Sequence, residues 1–133
     1  MTMIWIVNKR LWLDNNTYDK LRELFRKTKI YVNRNELLSL IICEWVNTEG
    51  IVDFDNVLYI DKHGNAENIS RNRFIYFKIS ESLWNDFTRC CSDKKLNVNA
   101  GFKITINYFI HINENNYENI FRYILDNNNN NIL

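Results

Sequence analysis

Proline is absent from this chain of 133 residues, and glycine occurs three times, at Gly50, Gly64 and Gly101. A β-sandwich or barrel relies on both residues for its many tight turns, so their scarcity favours long helices with few connections. No run of 18 apolar residues occurs, and no basic flank precedes an apolar stretch at the N-terminus. Neither a membrane span nor a secretory signal is expected, and the protein is read as intracellular. The three cysteines, Cys43, Cys90 and Cys91, lack the spacing of a zinc site or a disulfide framework. They are expected to pack as small hydrophobes. No phosphate loop, nucleophile elbow or paired-histidine metal motif appears, and His63 and His111 stand apart from any nucleophile or paired carboxylates. The chain is therefore expected to be no enzyme and to use no cofactor or metal.

What is present is apolar and aromatic side chain, at 46% and 14% of residues. That is enough for a packed interior, in one compact domain or in two small units sharing a core. The formal charge of +1 is unevenly spread. Residues 1–47 hold eight Lys/Arg against five Asp/Glu, and 73–113 hold six against three. Residues 48–72 hold two bases against five acids, and 114–133 one against three. Two basic blocks thus alternate with two acidic ones.

The basic blocks also share a pattern, with a period of about 66 residues (80 − 14 at the first helix starts). Residues 8–13 and 74–79 alternate between two faces, as a half-buried strand does. Leu11 and Leu13, or Ile75, Phe77 and Ile79, lie on one face. Asn8, Arg10 and Trp12, or Phe74, Tyr76 and Lys78, lie on the other. Asp14 and Ser80 follow as helix caps. Apolar stripes then repeat at i, i+4, i+7 and i+8: Thr17, Leu21, Leu24 and Phe25, then Leu83, Phe87, Cys90 and Cys91. Val32-Asn33 and Val98-Asn99, each 18 positions after its cap (32 − 14 and 98 − 80), mark a turn into a second helix. Asn33 or Asn35 caps one of these helices, and Asn97 or Asn99 the other; over the second helices the best offset slips to 64 or 65, so one turn is expected to differ by a residue or two. The first is apolar around most of its circumference, which predicts a central, fully covered position. Neither unit can bury so much surface alone.

A strand, a capped helix, a short turn and an apolar helix within about 40 residues resemble the ribbon-helix-helix family of transcription regulators, to which MetJ and Arc belong. The resemblance covers roughly residues 8–47 and 73–112. It implies a mainly α fold with a two-stranded antiparallel ribbon, in which two units form an intramolecular pseudo-dimer. This tandem form is similar to regulators of archaeal viruses. The expected layout is one unit over 1–47, an acidic linker over 48–72, a second unit over 73–113, a helix over 114–126 and an Asn-rich tail over 127–133. Asn56 to Asp61 can form a short strand in the linker, with a turn from Lys62 to Asn65.

The resemblance implies a sequence-specific DNA-binding regulator, a repressor by expectation, whose ribbon enters the major groove of double-stranded DNA. Asn8, Arg10, Trp12, Tyr76 and Lys78, with Phe74, would face the bases; Trp12 and Phe74 depart from the small polar or basic residues usual in the family. Asn33, Arg34, Asn35, Asn97 and Asn99, at the starts of the second helices, would meet phosphate. A homodimer or higher assembly on DNA is expected, joined through the helix over 114–126 or with that helix capping the core. Each assignment has a plainer alternative. Arg10 and Lys78 also suit a solvated strand face, and Trp12 and Tyr76 suit burial under the linker or in a protein interface. The asparagines suit helix caps, and Lys20, Arg22, Arg26, Lys27 and Lys29 suit a solvated helix face. The alternative function is a protein-interaction module, antitoxin-like or viral and structural, without DNA binding.

Overall fold

Alternating exposed and buried side chains lie along Ile6–Leu13 (β1) and Arg73–Ser80 (β2) in the computed structural model, which describes residues 4–30, 32–49 and 73–113. The two strands pair as an antiparallel ribbon, the only sheet among the described residues. Each strand leads directly into a helix, because a capping side chain stands at its end. Asp14 accepts from the Thr17 N–H and starts α1, Asn15–Thr28. Ser80 accepts from the Leu83 N–H and starts α3, Glu81–Asp93. A second helix follows in each half: α2, Arg34–Asn47, and α4, Val98–Ile112. Among the described residues the architecture is mainly helical, four helices beneath one two-stranded sheet.

Asn33 caps α2 and Asn97 caps α4, each accepting from the N–H three residues on. Val32 precedes its cap, whereas Val98 is already the first residue of α4. The match of Val32 with Val98 is thus corrected: the caps correspond at an offset of 64 (97 − 33), within the expected slip, because α3 and the turn after it are each one residue shorter than α1 and its turn.

The packing is crossed. α2 lies chiefly on α4, on α3 and on β2, while α4 lies on β1 and α1; each second helix touches the other half's strand and first helix more than its own first helix. One core results, centred on Leu37, Leu38, Ile41, Trp45, Phe87 and Phe102, all fully buried. Trp45 meets Phe87 edge-on at 5.6 Å, and Phe77 stacks on Phe102 at 5.5 Å. The expectation for α2 also needs correction. Its buried face is Leu37, Leu38, Ile41, Ile42 and Trp45, while Ser39, Leu40, Cys43 and Val46 are half-exposed. It is α4 that is covered on every side, from Gly101 through Asn107. Overall apolarity misled here, because α4 hides Lys103, Thr105 and Asn107 along with its apolar residues.

That burial is made tolerable by partners. Lys103 Nζ lies 3.4 Å from Asp14 Oδ1, Asn107 donates to Thr17 Oγ1 at 3.3 Å and to the Lys103 carbonyl, and Thr105 donates to the Gly101 carbonyl. Burial acts to raise the Asp14 carboxyl, but hydrogen bonds from Thr17 and the Lys103 ammonium outweigh it and hold the group below the ordinary aspartate value. The α3–α4 contact is tighter still. A Cβ at Gly101 would stand 2.3 Å from Cys91 Sγ, so only glycine allows this approach. Burial, with Cys90 adjacent, pushes the Cys91 thiol up to about 12, which keeps it protonated.

The strand from Asn56 to Asp61, the turn from Lys62 to Asn65, the helix over 114–126 and the tail over 127–133 lie outside the described residues. Of the linker expected over 48–72, Thr48 and Glu49 form a turn closing α2. Among the described residues no helix is long and apolar enough to cross a membrane.

Candidate functional site

The pleat decides which side chains the ribbon offers. Val7, Lys9, Leu11 and Leu13, with Ile75, Phe77 and Ile79, turn toward the helices; Asn8, Arg10, Trp12, Phe74, Tyr76 and Lys78 are all exposed on the opposite face. All six residues expected on one surface are therefore brought together there. The register sets them in three opposed pairs: Asn8 with Lys78, Arg10 with Tyr76, and Trp12 with Phe74.

The face is ordered by its own contacts. Trp12 and Phe74 stack with centroids 6.3 Å apart, and the Arg10 guanidinium lies 4.8 Å over the Phe74 ring. A guanidinium over a ring keeps its N–H edge outward while losing few rotamers, so Arg10 is held ready to donate. Lys9 belongs to the other face, its ammonium 4.9 Å over Trp84.

The asparagines at the second helices do two jobs. Asn33 and Asn97 are caps, and in α2 the Glu36 carboxylate accepts in return from the Asn33 N–H. Asn35 and Asn99 instead reach across to the ribbon. Asn35 Oδ1 accepts from the Lys78 backbone N–H at 3.0 Å, and Asn99 Oδ1 accepts from the Trp12 N–H at 3.2 Å. Those N–H groups point to the open edges of the sheet, where no strand can take them. Each helix start is thereby moored to one edge of the ribbon, α2 beside Lys78 and α4 beside Trp12. With their oxygens committed to backbone, both side chains meet an anion through amide donors. The two moorings differ in charge: α2 carries Glu36 in its first turn and α4 carries no acid there, so the α4 start is the more favourable place for phosphate.

Arg34 stands exposed at the start of α2, its guanidinium 5.5 Å over Phe25. On α1, Arg26 and Lys27 both pair with Glu23, while Lys20, Arg22 and Lys29 are exposed. Lys94 and Lys95, exposed in the α3–α4 turn just before the Asn97 cap, were not singled out by the sequence pattern. The signal was there: Lys95 falls 66 positions after Lys29, which occupies the corresponding turn (95 − 29). Among the described residues no group of His, Cys, Asp or Glu is arranged to hold a metal ion.

Replacing Asn35 or Asn99 by Ala is expected to cost about 1 kcal/mol each, the usual net worth of such a bond. Amide exchange at Lys78 or Trp12, respectively, should accelerate well beyond the global change in stability. Unchanged exchange at those two amides would show that the moorings are not maintained in solution.

No family model matches this chain, and no curated protein or solved structure is detectably similar to it.

Proposed function

We propose that the chain is a tandem ribbon-helix-helix protein, an intramolecular pseudo-dimer that binds double-stranded DNA as a transcriptional regulator, acting as a repressor. The observation that carries this reading is the outer face of the ribbon. Six exposed side chains stand in three opposed pairs, flanked at both edges by the start of a capped helix. A two-stranded ribbon fits the major groove, and helix starts beside it lie where the sugar–phosphate backbones run. Arg10 and Lys78 are suited to guanine O6 and N7, Asn8 to adenine N6 and N7, and the exposed Lys94 and Lys95 to phosphate. The register supports the tandem form. Arg10 lies opposite Tyr76, its own counterpart across the repeat, as a twofold axis between the halves requires. Two such chains on adjacent sites would form the homodimer or higher assembly on DNA.

The test is titration of random-sequence and selected duplexes at several salt concentrations. Affinity should fall steeply with salt as phosphate counterions are released. Arg10→Ala should weaken a selected site about tenfold and random DNA much less. Absent or salt-insensitive binding sinks the reading. One observation favours a second one, a protein-interaction module: Phe74 and Tyr76 are 51% and 62% exposed on the same face as Trp12. That module would bind no duplex at any salt and would lose its protein partner on Tyr76→Ala.

A further inference from the structure

The exposed face of the ribbon is unlike at its two ends. A twofold axis between the halves equates Asn8 with Phe74 and Trp12 with Lys78, so it equates a polar residue with an apolar one twice over. The antiparallel register then gathers like with like. Asn8 and Lys78 sit opposite each other at one end, and Trp12 and Phe74 at the other, with Arg10 and Tyr76 between them. The first end offers hydrogen-bond donors, beside the mooring of Asn35 to the Lys78 N–H. The second offers two stacked rings, beside the mooring of Asn99 to the Trp12 N–H. Arg10 leans toward that second end, over Phe74.

Resting on the DNA-binding reading above, we infer that one chain reads a non-palindromic duplex segment in a single orientation. Its Asn8–Lys78 end takes a half read through the hydrogen-bonding edges of its purines, and its Trp12–Phe74 end takes a half read through thymine methyls. The chemistry assigns the halves. An ammonium and a carboxamide recognise purine N7 with guanine O6 or adenine N6 by hydrogen bonds. Two rings side by side offer chiefly apolar surface, with the Trp12 indole N–H their single donor, and the apolar group on the major-groove edge of an ordinary base is the thymine methyl. Tyr76, at the centre, can serve either strand through its hydroxyl. Unlike a pair of identical ribbons, this one gains nothing from an inverted repeat within the footprint of one chain. Its specificity is divided between Lys78 and Asn8 on one side and Trp12 and Phe74 on the other.

The experiment selects bound duplexes from a random pool with the full chain, then repeats the selection with Lys78→Ala and Trp12→Ala. Both positions are exposed, so the variants should keep the fold, which circular dichroism checks. The selected element should lack twofold symmetry about its centre. Lys78→Ala should lose preference only in the half under Asn8 and Lys78, with a fall of about ten- to a hundredfold on the selected site. Trp12→Ala should lose preference only in the thymine half. Replacing each thymine there by uracil removes one methyl group. This should weaken wild type about fourfold per methyl and weaken Trp12→Ala less, since only Phe74 then meets the methyls. A palindromic footprint, or uracil duplexes bound as tightly as thymine ones, would overturn the assignment of the halves while leaving DNA binding intact. A pool that shows no enrichment at all overturns the DNA-binding reading, and this inference with it.

Discussion

Asp14→Ala is expected to be among the most damaging single substitutions in this chain, costing about 3 kcal/mol, the low end of the range for removing one member of a buried ion pair. Two losses coincide at this position. The α1 start loses the carboxylate that accepts from the Thr17 N–H, and the Lys103 ammonium, with a side chain only 4% exposed, loses a counter-charge at 3.4 Å. A cap alone is worth about 1 kcal/mol, so most of the effect should come from the loss of the carboxylate facing the buried Lys103 ammonium. The second half suggests the repair. Ser80 caps α3 there with a neutral hydroxyl. The double variant Asp14→Ser with Lys103→Met should therefore return most of the stability, since a buried pair exchanged for a neutral cap and an apolar side chain is often close to neutral.

The pH dependence of stability checks the same pair. Folding depresses the Asp14 carboxyl below its ordinary value of 3.8. Its contribution is therefore complete above that value and is lost as pH falls through the lower, folded-state value. Wild type should show this acid limb below about pH 4, and Asp14→Ser with Lys103→Met should show less of it. Urea denaturation between pH 2 and 7 measures both effects. If Asp14→Ala melts like wild type, or if the acid limb is the same in the double variant, the pair does not act in this way.

The second large effect is expected at Gly101, where alanine should destabilise by about 2–3 kcal/mol, although it is the better helix former by about 1 kcal/mol. The added Cβ would stand 2.3 Å from Cys91 Sγ, in a core where Cys91 is 1% exposed and has little room to turn. Cys91→Ala alone should cost about 1 kcal/mol by leaving a small void. Combined, the two should nearly cancel. With Sγ gone, the nearest remaining atom of residue 91 is its Cβ at 3.5 Å, an ordinary contact, and the helix gains an alanine. A double-mutant cycle by thermal or urea denaturation should show strong positive coupling. Additive losses, or a Gly101→Ala variant more stable than wild type, would contradict the close approach of α3 to α4.

Much of the fold was legible because its signals are local. Period-two alternation marks both strands, Asp14 and Ser80 mark the helix starts, and the stripes through Leu21 and Phe87 mark the buried faces. The outer ribbon face was legible for the same reason, since the pleat fixes Arg10 and Lys78 on one side without reference to anything distant. The misses are non-local. The slip of the offset to 64 or 65 was legible, but its place was not: α3 and the turn before α4 are each one residue shorter than α1 and the turn before α2, and valine beside asparagine imitated a match across that difference. Which second helix lies deepest depends on crossed packing that no periodicity encodes. Lys103 finds Asp14 across 89 positions (103 − 14), and Asn99 finds Trp12 across 87. For that reason Asn35 and Asn99 look like helix caps in sequence, and only the folded chain turns them into moorings.

The crossed packing also has a kinetic side. Each second helix completes its surroundings only with the strand and first helix of the other half, so folding is a meeting of two halves. Were they separate molecules, that meeting would depend on dilution. One covalent chain holds each half before the other at an effective concentration on the order of millimolar. The folded fraction is then independent of how many copies are present, and a ribbon is complete on every folded chain.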